Sequence, residues 1–157
     1  MKSVLFVCTA NMCRSPMAEA LFKSLVAERG ESEEWRIESA GVSASDGAPA
    51  TEYTQLIAAE RGADLSTHLS QRATREVVEP FSLVLVMEGR HREELSVALP
   101  RAAGKVHLLS EMVGREADVW DPVGTELENY RAMADQIDGI LRGGFDRIRE
   151  LADHHPQ

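Results

Sequence analysis

The chain has 157 residues, which suits one domain with one sizeable core. With 26 acidic against 17 basic residues its net charge is −9, which argues against nucleic acid or an anionic membrane as the main partner. No apolar run approaches the ~18 residues of a membrane span, the apolar start VLFVC is too short for a secretory signal, and two cysteines make neither a disulfide scaffold nor, without clustered histidines, a zinc site.

In chain order, Lys2 to Cys8 (KSVLFVC) is a nearly continuous apolar run and reads as a strand buried on both faces. Pro16 to Arg29 predicts a helix with Met17, Leu21, Leu25 and Val26 as its stripe, Ser15 as N-cap, Pro16 at the first helical position and Gly30 closing it. Trp35 to Ala40 alternates as a second strand, and a helix follows over about 50–61, ended by Gly62. Phe81 to Met87 (FSLVLVM) is the central-strand candidate. A short helix over about 90–98 is stopped by Pro100, and KVHLL is a fourth strand. Beyond the loop DVWDPVGTE a long helix is predicted over about 127–151. Leu127, Tyr130, Ala134, Ile137, Leu141 and Ile148 form its buried stripe, and Gly143-Gly144 weakens or bends it. Only the last few residues look free to fray. Strand and helix alternate four times, which implies an α/β/α fold around a four-stranded parallel sheet.

In such sheets ligands bind beyond the carboxyl ends of the strands, near the switch in strand order. The loop after the first strand is Cys8, Thr9, Ala10, Asn11, Met12, Cys13, Arg14 and Ser15, and it runs into a helix N-terminus. Free N–H groups and about half a positive charge there stabilise an anion even in an acidic protein. Thr9 to Ser15 contains no glycine, which disfavours a nucleotide P-loop. The loop reads Cys-x5-Arg instead. A guanidinium fork suits phosphoryl oxygens, and the same positive field favours the thiolate, the nucleophilic form of cysteine. Ser15 could donate to that thiolate, and Asn11 tolerates a left-handed backbone. Spacing alone leaves open that Cys8 is a small buried hydrophobe closing a strand.

At these residues the chain resembles the low-molecular-weight protein tyrosine phosphatase family. The resemblance rests on VCTANMCRSPMAEAL (Val7 to Leu21), SAG (Ser39 to Gly41), ADLSTHLSQ (Ala63 to Gln71), LVLVME (Leu83 to Glu88) and DVWDPVG around Asp121-Pro122, in order over nearly the whole chain. It implies a metal-free, cofactor-free two-step reaction on a phosphorylated protein. Cys8 attacks phosphorus, Arg14 and the loop amides hold the phosphoryl oxygens, and Asp121 is general acid and then base. Inorganic phosphate and other oxyanions are expected at the same site, and a cytoplasmic location is expected. The resemblance also implies that Asn11, Ser15, Ser39 and His68 support the loop, and that Cys13 is a redox partner able to bridge Cys8 reversibly. Taken alone, Asp121-Pro122 reads as an ordinary turn and His68 as a surface or cap histidine. His91 and His107 have no role legible in the sequence.

The chain departs from the family at the substrate rim, expected at Ser45, Trp120, Val123 and Gly124. Members acting on phosphotyrosine usually carry tyrosines after the Asp-Pro pair, where this chain has Val123 and Gly124, and an aromatic after Ser-Ala-Gly, where it has none. Trp120 is either one wall of the pocket or part of the core. Asp-Pro followed by an apolar residue and glycine resembles the protein-arginine phosphatase branch. That branch usually has a threonine in the loop where this chain has Met12. Phosphotyrosine is therefore the expected substrate and phosphoarginine the alternative. Arsenate reduction is less expected, because it needs thiols beyond Cys8 and Cys13. A non-catalytic phosphate-binding module would have no reason to keep Cys8, Arg14 and Asp121 together.

Overall fold

The protein is described by a computed structural model covering residues 1–153. Fraying of the final residues, 154–157, lies outside the described residues. Four strands, β1 (Lys2–Cys8), β2 (Trp35–Gly41), β3 (Leu83–Val86) and β4 (Val106–Leu108), form one sheet in the order β2-β1-β3-β4 with every pair parallel. The chain leaves β1 for one neighbour and later returns to place β3 on the other side. The strand order therefore switches beside β1, and the crevice opens at the end of β1, at Cys8.

The continuous apolar run of β1 is explained by its position. Val4, Phe6 and Cys8 face one core and Leu5 and Val7 the other, all of them buried. The larger core lies under α1 (Arg14–Glu28), α2 (Glu52–Glu60), α5 (Leu127–Gly143) and α6 (Phe145–Ala152). Phe22 packs edge-on against Trp35 with ring centroids 4.9 Å apart and also meets Phe6 and Phe145. The smaller core lies under α3 (Arg75–Val78), α4 (Gly89–Ala98) and a 3-10 turn at Pro100–Lys105. The architecture is the three-layer α/β/α sandwich expected from the alternation.

Two predictions are corrected. The first helix begins at Arg14, with Cys13 as N-cap, so Ser15 lies inside the first turn and Pro16 is the third helical residue. Proline is tolerated there because first-turn N–H groups have no intrahelical acceptor. The predicted final helix is two helices. The chain breaks at Gly144, where a Cβ would lie 2.7 Å from Met112 Cβ and 2.8 Å from its carbonyl oxygen. The short α3 was not predicted; its N-cap is Thr74, whose hydroxyl accepts from Val77 N. No helix among the described residues is long and apolar enough to cross a membrane.

Candidate active site

The loop from Cys8 to Ser15 is shaped from one side by a mostly neutral, largely buried network. Asn11 has φ +58°, a left-handed conformation that turns the loop toward α1. Its Nδ2 donates to Ser15 Oγ and Ser39 Oγ, both at 2.9 Å, and its Oδ1 accepts from Gln71 N at 2.9 Å. Ser39 passes its own hydrogen to Glu19 at 2.6 Å, and His68 Nε2 donates to the Asn11 carbonyl at 2.8 Å. The structure thus brings Asn11, Ser15, Ser39 and His68 together, and adds Gln71 and Glu19. Gly41 is required here by close approach. A Cβ at this position would lie 2.6 Å from Thr9 O and 2.9 Å from Asn11 N, so only glycine lets β2 come this close to the loop.

Cys8 is 3% exposed at the end of β1, with Sγ 2.9 Å from Ser15 Oγ. Ser15 already accepts from Asn11, so its single hydrogen is shared between Cys8 and the Ala40 carbonyl at 3.3 Å. When Cys8 is a thiolate, the Ser15 hydrogen belongs to sulfur. Cys13 is also buried and free. Burial pushes its thiol up to about 12, only partly offset by a hydrogen bond with Thr54, so Cys13 stays protonated.

The other side of the loop is charged. Arg14 is 1% exposed, and its Nη1 donates to Glu88 Oε2 at 2.6 Å and to Val119 O at 2.8 Å. A buried guanidinium is tolerable only with such partners. Anchoring Nη1 leaves Nη2 toward the mouth, 3.5 Å from Thr9 Oγ1 and 3.7 Å from Asp121 Oδ2. Glu88 also takes Arg90, through Nε at 3.1 Å and Nη2 at 3.3 Å. Burial alone would raise the Glu88 carboxyl, but hydrogen bonds from Arg90 and Arg14 outweigh it and hold the group below the usual carboxylate range. His91 is fully buried, and burial pushes its imidazole down to about 4.

Asp121 reaches this centre because Arg14 holds Val119 two residues earlier, and because Val119 N donates to Met87 O at the end of β3. Its Oδ1 accepts from Val123 N at 3.1 Å, which fixes the side chain in its turn. Trp120 is 59% exposed and Val123 52%, so Trp120 is not core. Gly124 adopts φ +85° in the same turn. Ser45 is exposed and its carbonyl is held by Ser70, beyond Val42 and Ser43, whose N–H groups pair with Cys8 O and Thr9 O. Tyr53 was missed by the sequence reading. It is 40% exposed in the first turn of α2, edge-on to Tyr130, and follows Thr51, whose N–H donates to Met12 O.

Glu88, Arg90 and His91 were also missed as site residues. The available signal was position, since the carboxyl end of β3 lies beside that of β1. His91 also caps α4, its Nδ1 accepting the Glu88 N–H at 3.1 Å while its own backbone N–H donates to the Glu88 backbone carbonyl at 3.0 Å.

A sequence model described as low molecular weight phosphotyrosine protein phosphatase matches residues 3–153. A protein-arginine-phosphatase of Bacillus subtilis is 41% identical over 88% of this chain and 91% of its own. A probable low molecular weight protein-tyrosine-phosphatase, EpsP, of Ralstonia nicotianae is 34% identical over 96% of this chain and 98% of its own. Among solved structures, the YwlE arginine phosphatase, as a mutant with a phosphorylated active-site serine in place of cysteine, superposes with a TM-score of 0.89. It is 36% identical and covers 95% of this chain and 99% of its own.

Proposed function

The chain belongs to the low molecular weight phosphotyrosine protein phosphatase family, whose protein-tyrosine-phosphatases are phosphoric monoester hydrolases, and from that premise we propose that it hydrolyses phosphotyrosine in proteins through a cysteinyl-phosphate. The observation that carries this reading is the convergence of a single guanidinium, Arg14, on the Cys8 loop, on Glu88 and on Asp121.

The Cys8 thiolate attacks phosphorus from the floor of the loop, and Ser15 donates to sulfur until the S–P bond forms. Arg14 Nη2 and the first-turn amides of α1 take up charge on the non-bridging oxygens as the P–O bond to the phenol breaks. Asp121 gives its proton to the departing oxygen. Its carboxylate then removes a proton from water, whose oxygen attacks phosphorus and releases phosphate and the thiolate. Inorganic phosphate is therefore both product and competitive ligand. Asn11, Ser39 and His68 hold the loop without touching the substrate. The cytoplasm suits this chemistry, because a reducing compartment keeps Cys8 and Cys13 as free thiols. In this reading Cys13 is the redox partner that caps an oxidised Cys8, and its raised pKa makes the capture slow.

Trp120, next to the acid and exposed, supplies an aromatic wall that the Val123-Gly124 turn lacks. Phosphoarginine is the second reading, favoured by the 41% identity to a protein-arginine-phosphatase and by Val123-Gly124 after the Asp-Pro pair. Met12 speaks against it, since a thioether offers no hydroxyl to a guanidinium. The test is kcat/KM on one peptide scaffold carrying either phosphotyrosine or phosphoarginine, with Cys8→Ser as the blank. Tyrosine preference is the expected result; arginine preference makes the second reading the right one.

A further inference from the structure

Three donors converge on the hydroxyl oxygen of Thr9. Arg90 Nη2 lies 2.7 Å away, His91 Nε2 2.9 Å and Arg14 Nη2 3.5 Å. The tautomer of His91 is decided by its other nitrogen. Nδ1 accepts the Glu88 N–H at 3.1 Å, so the ring proton sits on Nε2, which donates to Thr9. The ring is fully buried, and burial keeps it neutral at ordinary pH. A hydroxyl oxygen has two lone pairs and one hydrogen. Arg90 and His91 occupy the lone pairs. The hydrogen then has to be donated, and neither guanidinium nor this tautomer of His91 can accept it.

Its destination follows from Arg14. The nitrogen 3.5 Å from Thr9 Oγ1 is the one left free of Glu88 and Val119, and it also lies 3.7 Å from Asp121 Oδ2. Two donors at that spacing can both reach one acceptor oxygen at about 2.8–2.9 Å. We propose that the Thr9 hydroxyl is a phosphoryl ligand, donating to the same non-bridging oxygen that Arg14 Nη2 grips, and that His91 is the positioning residue that makes Thr9 an obligate donor. This rests on the phosphatase reading above and adds a side-chain donor to a site otherwise built from backbone amides and one arginine.

The test uses p-nitrophenyl phosphate, so it does not depend on which phosphorylated residue is preferred. Thr9→Val is expected to lower kcat/KM about tenfold to a hundredfold and to weaken competitive inhibition by inorganic phosphate. Thr9→Ser is expected to restore the rate to within about threefold of the native enzyme. His91→Phe is expected to match the Thr9→Val loss and to add less than about twofold in a Thr9→Val background. A Thr9→Val enzyme of native rate, or a His91→Phe loss of equal size in both backgrounds, would overturn the proposal. Should His91→Phe fail to fold, the Thr9→Val and Thr9→Ser pair decides the matter alone. No turnover by the native chain would overturn the phosphatase reading and this inference with it. Turnover that ignores Thr9 would overturn this inference only.

Discussion

The two walls of the Cys8 loop are built on opposite principles. The wall toward β2 is made of Asn11, Ser15, Ser39, His68 and Gln71, joined by short, mostly neutral hydrogen bonds. The wall toward β3 is made of Arg14, Glu88, Arg90, His91 and Asp121, where two guanidiniums share one carboxylate. The first wall fixes a backbone shape. The second fixes where charge sits at the mouth of the loop. Damage to the first should appear as lost geometry and stability, and damage to the second as altered electrostatics and pH response.

The largest effect belongs to the charged wall. Asp121→Asn is expected to lower kcat/KM, which reports the step that expels the leaving group, about a hundredfold to a thousandfold on alkyl or poor aryl phosphates and far less on p-nitrophenyl phosphate, because a donated proton matters most when the leaving group is basic. Equal loss across a leaving-group series would remove Asp121 from the acid role. On the neutral wall, Gly41→Ala forces a Cβ against Thr9 O and Asn11 N. It is expected to cost about 2 kcal/mol of stability and most of the activity. Gly104→Ala, where a Cβ meets nothing within 4 Å, should cost neither. Chemical denaturation beside an activity assay separates the two variants, and equal stability would show that the close approach is not a constraint.

His91 sharpens the contrast in pH. Its folded pKa of about 4 lies below the unfolded value near 6.5, so the unfolded chain binds more protons between those limits. Its contribution is complete above about pH 6.5 and is lost as pH falls toward 4, a loss of about 2 kcal/mol between pH 7 and pH 5. The native protein should therefore lose more unfolding free energy over that interval than His91→Gln; parallel losses would mean that the ring is not held neutral by burial. The smallest effect is at the rim. Trp120→Ala is expected to lower kcat/KM for an aryl phosphate about threefold to tenfold and leave an alkyl phosphate unchanged, through loss of stacking worth about 0.5–1.5 kcal/mol.

The neutral wall was legible in the sequence and the charged wall only partly so. Cys8, Asn11, Ser15, Ser39 and His68 fall in motifs whose spacing and flanking strand carry the resemblance. The sheet was legible because β1 and β3 are apolar on both faces. Glu88, Arg90 and His91 were not. Their roles come from the parallel pairing of β1 with β3, which carries the start of α4 to the Cys8 loop across 74 to 82 positions of sequence. A fully buried histidine beside two arginines has no local pattern to announce it. Tyr53 was hidden for the same reason, since the start of α2 is held beside the loop by the Thr51–Met12 pairing. The break at Gly144 was half-legible. The glycine pair marked a weak point, but the contact with Met112 that ends α5 there is tertiary.

The most direct test of the central claim is rapid-quench mass spectrometry of the Asp121→Asn enzyme mixed with p-nitrophenyl phosphate, where the first step survives on a good leaving group while hydrolysis is slowed. The account expects one phosphoryl group per chain, acid-stable on the peptide containing Cys8 and absent from Cys8→Ser. Phosphoryl on another residue, or undiminished turnover by Cys8→Ser with no phosphoryl on Cys8 in the parent, would contradict it.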